Sequence, residues 1–218
     1  MSAPLFDAIE RDALCDLLDQ LGADAPTLLD PWTTRDLAAH LVLRERDVLA
    51  GPGLVVPGAW ARLAERRRRA LTASPYTDLV ESFRNGPPWG IFRLAPVRRV
   101  ANLNEFFVHH EDARRANGGG IRTLPRGEDE ALFRNVASVR RMLLLRIHGV
   151  GLDIEWAGTD AAIRSSEDLP RVRLRGVPGE LLLYLFGREE AARVEVGGSP
   201  EALAVLRHRR RPWWWGTE

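Results

Sequence analysis

Asn102-Leu103-Asn104-Glu105-Phe106-Phe107-Val108-His109-His110-Glu111-Asp112 carries apolar residues at helical spacing and a carboxylate and an imidazole four positions apart. Positions i and i+4 are neighbours on a helix surface, so Glu105 and His109 can address the same point in space. That is the spacing of two metal ligands on one helix. A third donor is required, and His40 is the best candidate elsewhere in the chain. Spacing alone also allows an ion pair of Glu105 with Arg98 or Arg99, and a core role for His109. His110 is rotated by about a third of a turn and points away from that face, towards solvent or an outer supporting position.

Working outward, this helix is expected to begin near Pro96 and to run to about Ala116, where Asn117-Gly118-Gly119-Gly120 stops it. The part before it is helical. Leu5, Phe6, Ile9, Ala13, Leu14, Leu17, Leu18 and Leu21 predict a first helix ended by Gly22. Thr33 or Thr34 caps a second helix, which carries Leu37, His40, Leu41 and Val48. A loop over Gly51 to Pro57 leads to a third helix from about Ala59 to Leu71, whose Arg66 to Arg69 run reads as a solvated face. A short helix over Tyr76 to Phe83 ends at Asn85-Gly86-Pro87-Pro88.

The glycine run marks the expected boundary between a first domain, 1–120, and a second, 121–218. The second opens with a linking helix, Glu128 to His148. Alternation then predicts strands at 152–156, 162–164, 172–175 and 193–196, with helices from Pro178 to Phe186 and Pro200 to Arg207. The expected class is α+β: a helical bundle followed by a small mixed unit. His40 and the Glu105/His109 pair converge if their two helices pack side by side, as in bundles that build metal sites from facing helices. Three protein ligands would leave a fourth position open to water or a thiol. Asp36, four residues before His40, is a candidate to orient its ring, or to replace Glu105 as a ligand.

A formal net charge of +1 gives no bulk argument for nucleic acid or an anionic membrane. All 31 basic residues are arginine, which excludes a catalytic Schiff-base lysine. The single cysteine, Cys15, lies in an apolar helical pattern and reads as packing. The N-terminus lacks a signal-peptide pattern and no apolar run reaches membrane-span length, so a soluble cytoplasmic protein is expected. Neither a nucleophile elbow, a P-loop nor a dinucleotide fingerprint occurs. The tail, Arg207 to Arg211 with Trp213-Trp214-Trp215, has the composition of a phosphate-binding or membrane-surface segment, and equally of tryptophans packed between domains.

Trp32-Thr33-Thr34-Arg35-Asp36-Leu37-Ala38-Ala39-His40-Leu41, followed by Arg44-Glu45, resembles the histidine-bearing second helix of the DinB-like superfamily. More narrowly it is similar to the mycothiol-dependent maleylpyruvate isomerase family of actinobacteria, in which a glutamate, a histidine four residues later and a following aspartate form a second signature. Glu105, His109 and Asp112 match it. Gly176-Val177-Pro178-Gly179-Glu180 through Arg188 resembles the family's small sterol-carrier-like α+β domain. The resemblance implies a DinB-like four-helix bundle with a divalent ion, most often zinc, on His40, Glu105 and His109. It further implies use of mycothiol in an isomerase or transferase reaction on a small-molecule electrophile. Arg188 is then expected to hold a carboxylate of substrate or cofactor, or alternatively to make a capping or interdomain ion pair. The chain departs from the family at His110-Glu111, where many relatives carry a small polar residue and tryptophan. A non-catalytic reading is also open: a metal-stabilised module that binds a hydrophobic ligand or a protein partner.

Overall fold

A computed structural model describes residues 5–47, 58–144, 149–165 and 169–209. The expected loop at 51–57, Val48, the end of the linking helix at 145–148 and the tryptophan tail lie outside these residues. The fold is α+β, with an N-terminal helical part and a C-terminal part containing a sheet. Its two compact units divide between Arg122 and Thr123.

In the first unit, α1 spans Phe6–Leu21. Gly22, at φ 76°, ends it while its N–H donates to Leu18 O at 3.1 Å. The next helices are α2 (Thr34–Arg46), α3 (Ala59–Leu71) and α4 (Tyr76–Arg84). The helix expected from Pro96 to Ala116 is found in three joined pieces: α5 (Ala95–Val97), a π turn (Arg98–Asn102) and α6 (Leu103–Ala116). Apolar periodicity runs through all three, which is why the wider turn is invisible in sequence; π turns recur at functional sites.

Leu14 and Leu18 of α1, Leu37 and Leu41 of α2, Phe83 of α4 and Phe106 of α6 are fully buried in one shared core. Around it α6 packs on α1, α1 on α4 and α4 on α2, while α3 lies outside against α2. The remaining edge, α2 against α6, is not among the closely packed pairs of the described elements. The two helices still face each other as expected, with Leu37 and Leu41 of α2 and Phe106 of α6 in the shared core and the His40 and His109 rings 5.0 Å apart. His40 and Arg44 of α2 and Glu105 and His109 of α6 place polar side chains along that edge.

Cys15 is buried in this core, with Val80 O at 4.0 Å, and burial pushes its thiol up to about 12. An inert packing thiol is the result.

The second unit contains α7 (Arg126–Leu144), β1 (Gly151–Trp156), β2 (Ala162–Ile163), β3 (Arg171–Gly176), α8 (Pro178–Leu185), β4 (Glu195–Gly198) and α9 (Pro200–Arg209). The strand order is β2-β1-β3-β4, with β1 and β3 parallel and the outer pairs antiparallel. Along β3, exposed Arg171, Arg173 and Arg175 alternate with buried Val172, Leu174 and Gly176. That one-sided pattern is what a sheet covered on one face requires. The last strand sits two residues later than expected because its ladder to β3 fixes the register, with Val196 opposite Leu174 and Gly198 opposite Val172. A Cβ on Gly198 would lie 2.8 Å from Arg171 O, so only glycine fits there.

Candidate metal centre

The segment leading into α2 is pinned before the helix begins. Thr34 N donates to Ala25 O at 2.9 Å, Arg35 N to Ala23 O at 3.0 Å and Leu28 N to Asp112 O on α6 at 3.1 Å. Thr33 N and Oγ1 both donate to Asp36 Oδ2 at 3.0 Å, which makes Asp36 the capping carboxylate of α2. Its other oxygen pairs with Arg68 of α3 at 2.5 Å. Both oxygens are thus committed away from His40, and Asp36 is neither its orienting group nor a ligand. Arg68, expected on a solvated face, is buried: it holds Asp36 and Glu65 and stacks over Trp32, 4.5 Å from the ring centre. Trp32 in turn packs against the His40 ring, with centroids 5.4 Å apart.

Across the open α2–α6 edge, Glu105 Oε2 lies 3.3 Å from His109 Nε2 and 3.8 Å from His40 Nε2. The two imidazoles stand edge to face with centroids 5.0 Å apart. One donor atom from each of the three residues falls within 4.8 Å of the other two. Sequence reasoning thus named three side chains that the fold brings together. The Glu105 side chain is 28 % exposed, so the cluster reaches solvent on that side.

His109 Nδ1 hydrogen-bonds Asp112 Oδ2 at 2.9 Å. The carboxylate fixes the tautomer and leaves Nε2 turned towards Glu105, as such partners do for metal-binding histidines. Burial lowers the His109 pKa, but Asp112 and Glu105 outweigh it and hold the ring above its ordinary value. For His40, burial dominates and pushes it down to about 4, so the ring is neutral at pH 7. Burial raises Glu105, yet His109, His40 and Arg44 together keep it well below the usual carboxylate range.

His40 supplies the test of fit for a cation. Both of its ring nitrogens are shielded from solvent and neither has a hydrogen-bond partner; the nearest carboxylate oxygen, at 3.8 Å, is out of reach. An orphaned buried imidazole is costly unless something absent from the protein atoms completes it. Two neutral-capable imidazoles and a carboxylate suit a borderline divalent ion such as zinc. The donor set fits. Asp112→Asn, which replaces the charged partner of His109 by a neutral one, is expected to weaken zinc binding by about tenfold in a chelator competition.

Three residues that partner the cluster or the side chain next to it were not singled out in sequence. Arg44 lies one turn beyond His40 on α2 and directs its Nε to Glu105 Oε2 at 3.8 Å, a position the i, i+4 rule could have flagged. Asn102 of the π turn accepts from Arg44 Nη1 at 3.1 Å and donates to Phe92 O at 3.0 Å; no local signal marks it. Glu10 receives His110 Nδ1 at 2.9 Å from a residue one hundred positions away. His110 is therefore buried, in contrast to the solvent-facing or outer role expected of it.

Arg188 belongs to the second unit, in the turn after α8 that Gly187 makes at φ 83°. It is 6 % exposed, its N–H donates to Leu183 O at 3.0 Å and its Nη1 to Phe186 O at 2.6 Å.

These elements define an α+β protein whose helical bundle gathers two imidazoles and a carboxylate between α2 and α6. No family model and no curated protein matches the sequence. Among solved structures, a mycothiol-dependent maleylpyruvate isomerase is similar at 15% identity, with a TM-score of 0.60, over 89% of this chain and 93% of that one. A histidine-to-alanine mutant of a mycothiol-dependent maleylpyruvate isomerase aligns at 14% identity and TM-score 0.60, over 91% of this chain and 97% of that one. The likeness covers both units and shows a common fold. No helix among the described residues is long and apolar enough to cross a membrane.

Proposed function

We propose that the protein binds a divalent ion, zinc foremost, on His40, Glu105 and His109, and uses it with a low-molecular-weight thiol, mycothiol or a close analogue, in an isomerase or transferase reaction. The observation that carries this reading is the His40 ring, whose two nitrogens are buried and unpaired and which is turned towards a carboxylate that His109 also faces. When bound, the ion supplies an electrophilic position that lowers the pKa of a thiol or water placed on it.

The chain's own residues do the rest. Asp112 holds His109 with Nε2 turned towards Glu105, burial keeps His40 in its neutral ligating form, and Glu105 provides the anionic donor on the solvent side. Trp32 walls off His40, which limits competing water. For Arg188, in the second unit, the proposed role rests on the family resemblance alone: its guanidinium would hold a carboxylate of substrate or cofactor. The isomerase named for the similar structures makes a thiol the first cofactor to test.

Protein purified without a histidine tag and loaded with cobalt is expected to show visible ligand-field bands that shift when mycothiol is added. Failure of the reconstituted protein to retain a metal overturns the site. A cobalt spectrum that no thiol perturbs overturns the thiol chemistry and leaves a metal-stabilised binding module.

A further inference from the structure

Arg44 brings a buried cation to the candidate centre. It is 8 % exposed, its Nη1 is fixed by Asn102 Oδ1 at 3.1 Å, and its guanidinium lies 4.4 Å from the centre of the Phe92 ring. Asn102 also holds the Phe92 carbonyl, so the π turn and the 3₁₀ turn Ile91–Arg93 together hold the guanidinium that α2 presents. Its Nε approaches Glu105 Oε2 only to 3.8 Å, an ion-pair distance that is too long for a hydrogen bond. The positive charge is therefore held beside the donor cluster without being consumed by it.

We propose that Arg44 makes the open position of this centre selective for anionic ligands, a thiolate or a carboxylate, over neutral ones. The inference rests on the metal site proposed above. A divalent ion on two neutral imidazoles, with the Glu105 ligand and the Asp112 carboxylate behind His109, is neutral overall, and Arg44 raises the local total to +1. Among partly desolvated groups such a charge concentrates anions and acts little on neutral ligands. Its own desolvation is met by the Asn102 hydrogen bond and the Phe92 face.

A purely mechanical role, in which Arg44 only holds Glu105 in position, predicts the opposite sign for one observable. An anion-selecting cation repels the metal, so its removal leaves metal affinity equal or tighter. A positioning cation strengthens the metal site, so its removal weakens it.

The test uses the full-length cobalt-loaded protein titrated with azide, 2-mercaptoethanol and imidazole, followed by visible absorption. Arg44→Gln is expected to weaken azide and thiolate binding by about tenfold and to leave imidazole within about twofold. Arg44→Lys is expected to restore the anions. Asn102→Asp offers an independent route if Arg44→Gln fails to fold, because a carboxylate on Nη1 neutralises the guanidinium in place and should lower azide affinity in the same way. Equal losses for azide and imidazole, or weaker cobalt binding in Arg44→Gln, assign Arg44 to positioning and overturn the proposal while the metal site stands. Wild-type protein that holds no cobalt overturns both.

Discussion

Zinc at about a thousandfold excess over its dissociation constant is expected to stabilise the helical unit by about 4 kcal/mol, and His109→Ala to abolish that increment. The three donors come from two helices, with His40 and Glu105 separated by the whole of α3 and α4. An unfolded chain does not present them together, so binding free energy becomes folding free energy. For a domain of this size the gain corresponds to a rise in Tm of roughly 10–20 °C, removed by a chelator. His109 is the most informative position because its Nδ1 is held by Asp112 and its Nε2 faces Glu105, so its loss removes a ligand and the Asp112 hydrogen bond together. Melting curves of wild type and variant, each with zinc and with EDTA, separate these effects. The chelated variant reports the loss of the His109–Asp112 hydrogen bond and of side-chain packing, and the zinc-dependent difference reports the ligand. A variant that zinc stabilises as strongly as wild type would place the ion elsewhere.

Helix existence in the first unit was legible from local chemistry. Leucine spacing ending at Gly22 gave α1, and α3 and α4 were bounded within a residue by loop and proline signals. The Glu105/His109 pair was legible because i, i+4 is itself a local rule. Its partner His40 needed a motif, since no local pattern states which of the other helices faces α6. What sequence could not supply was pairing across space. Asp36 was attractive as a neighbour of His40 by the same i, i+4 rule, yet the helix cap and Arg68 claimed it. Arg68 sat in a run of four arginines that reads as uniformly solvated, and Trp32 with two carboxylates drew that one inward. The shift of the last strand has the same origin, because its register is decided by β3 rather than by its own alternation.

Glu10→Ala is expected to cost the first unit about 3–5 kcal/mol, the loss typical of removing one partner from a buried ionic network. Glu10 is 2 % exposed and accepts from His110 Nδ1 at 2.9 Å, and from Arg122 Nη1 and Nη2 at 2.8 and 3.2 Å. Arg122 Nε also reaches Glu111 Oε1 at 2.7 Å, and Glu111 pairs with Arg114 and Arg115 on α6. Deleting Glu10 leaves three arginines around one carboxylate and deprives His110 of its acceptor. Burial would raise the Glu10 pKa, but His110 and Arg122 hold it down at about 2, against an ordinary value of 4.5. The folded state therefore binds this proton more weakly than the unfolded chain. The contribution of the network is complete above about pH 4.5 and is lost as pH falls towards 2. Urea midpoints of wild type and Glu10→Ala should then differ fully at pH 7 and converge below about pH 4. A difference that stays constant from pH 7 to pH 3 would trace the cost to lost packing on α1 instead of to charge.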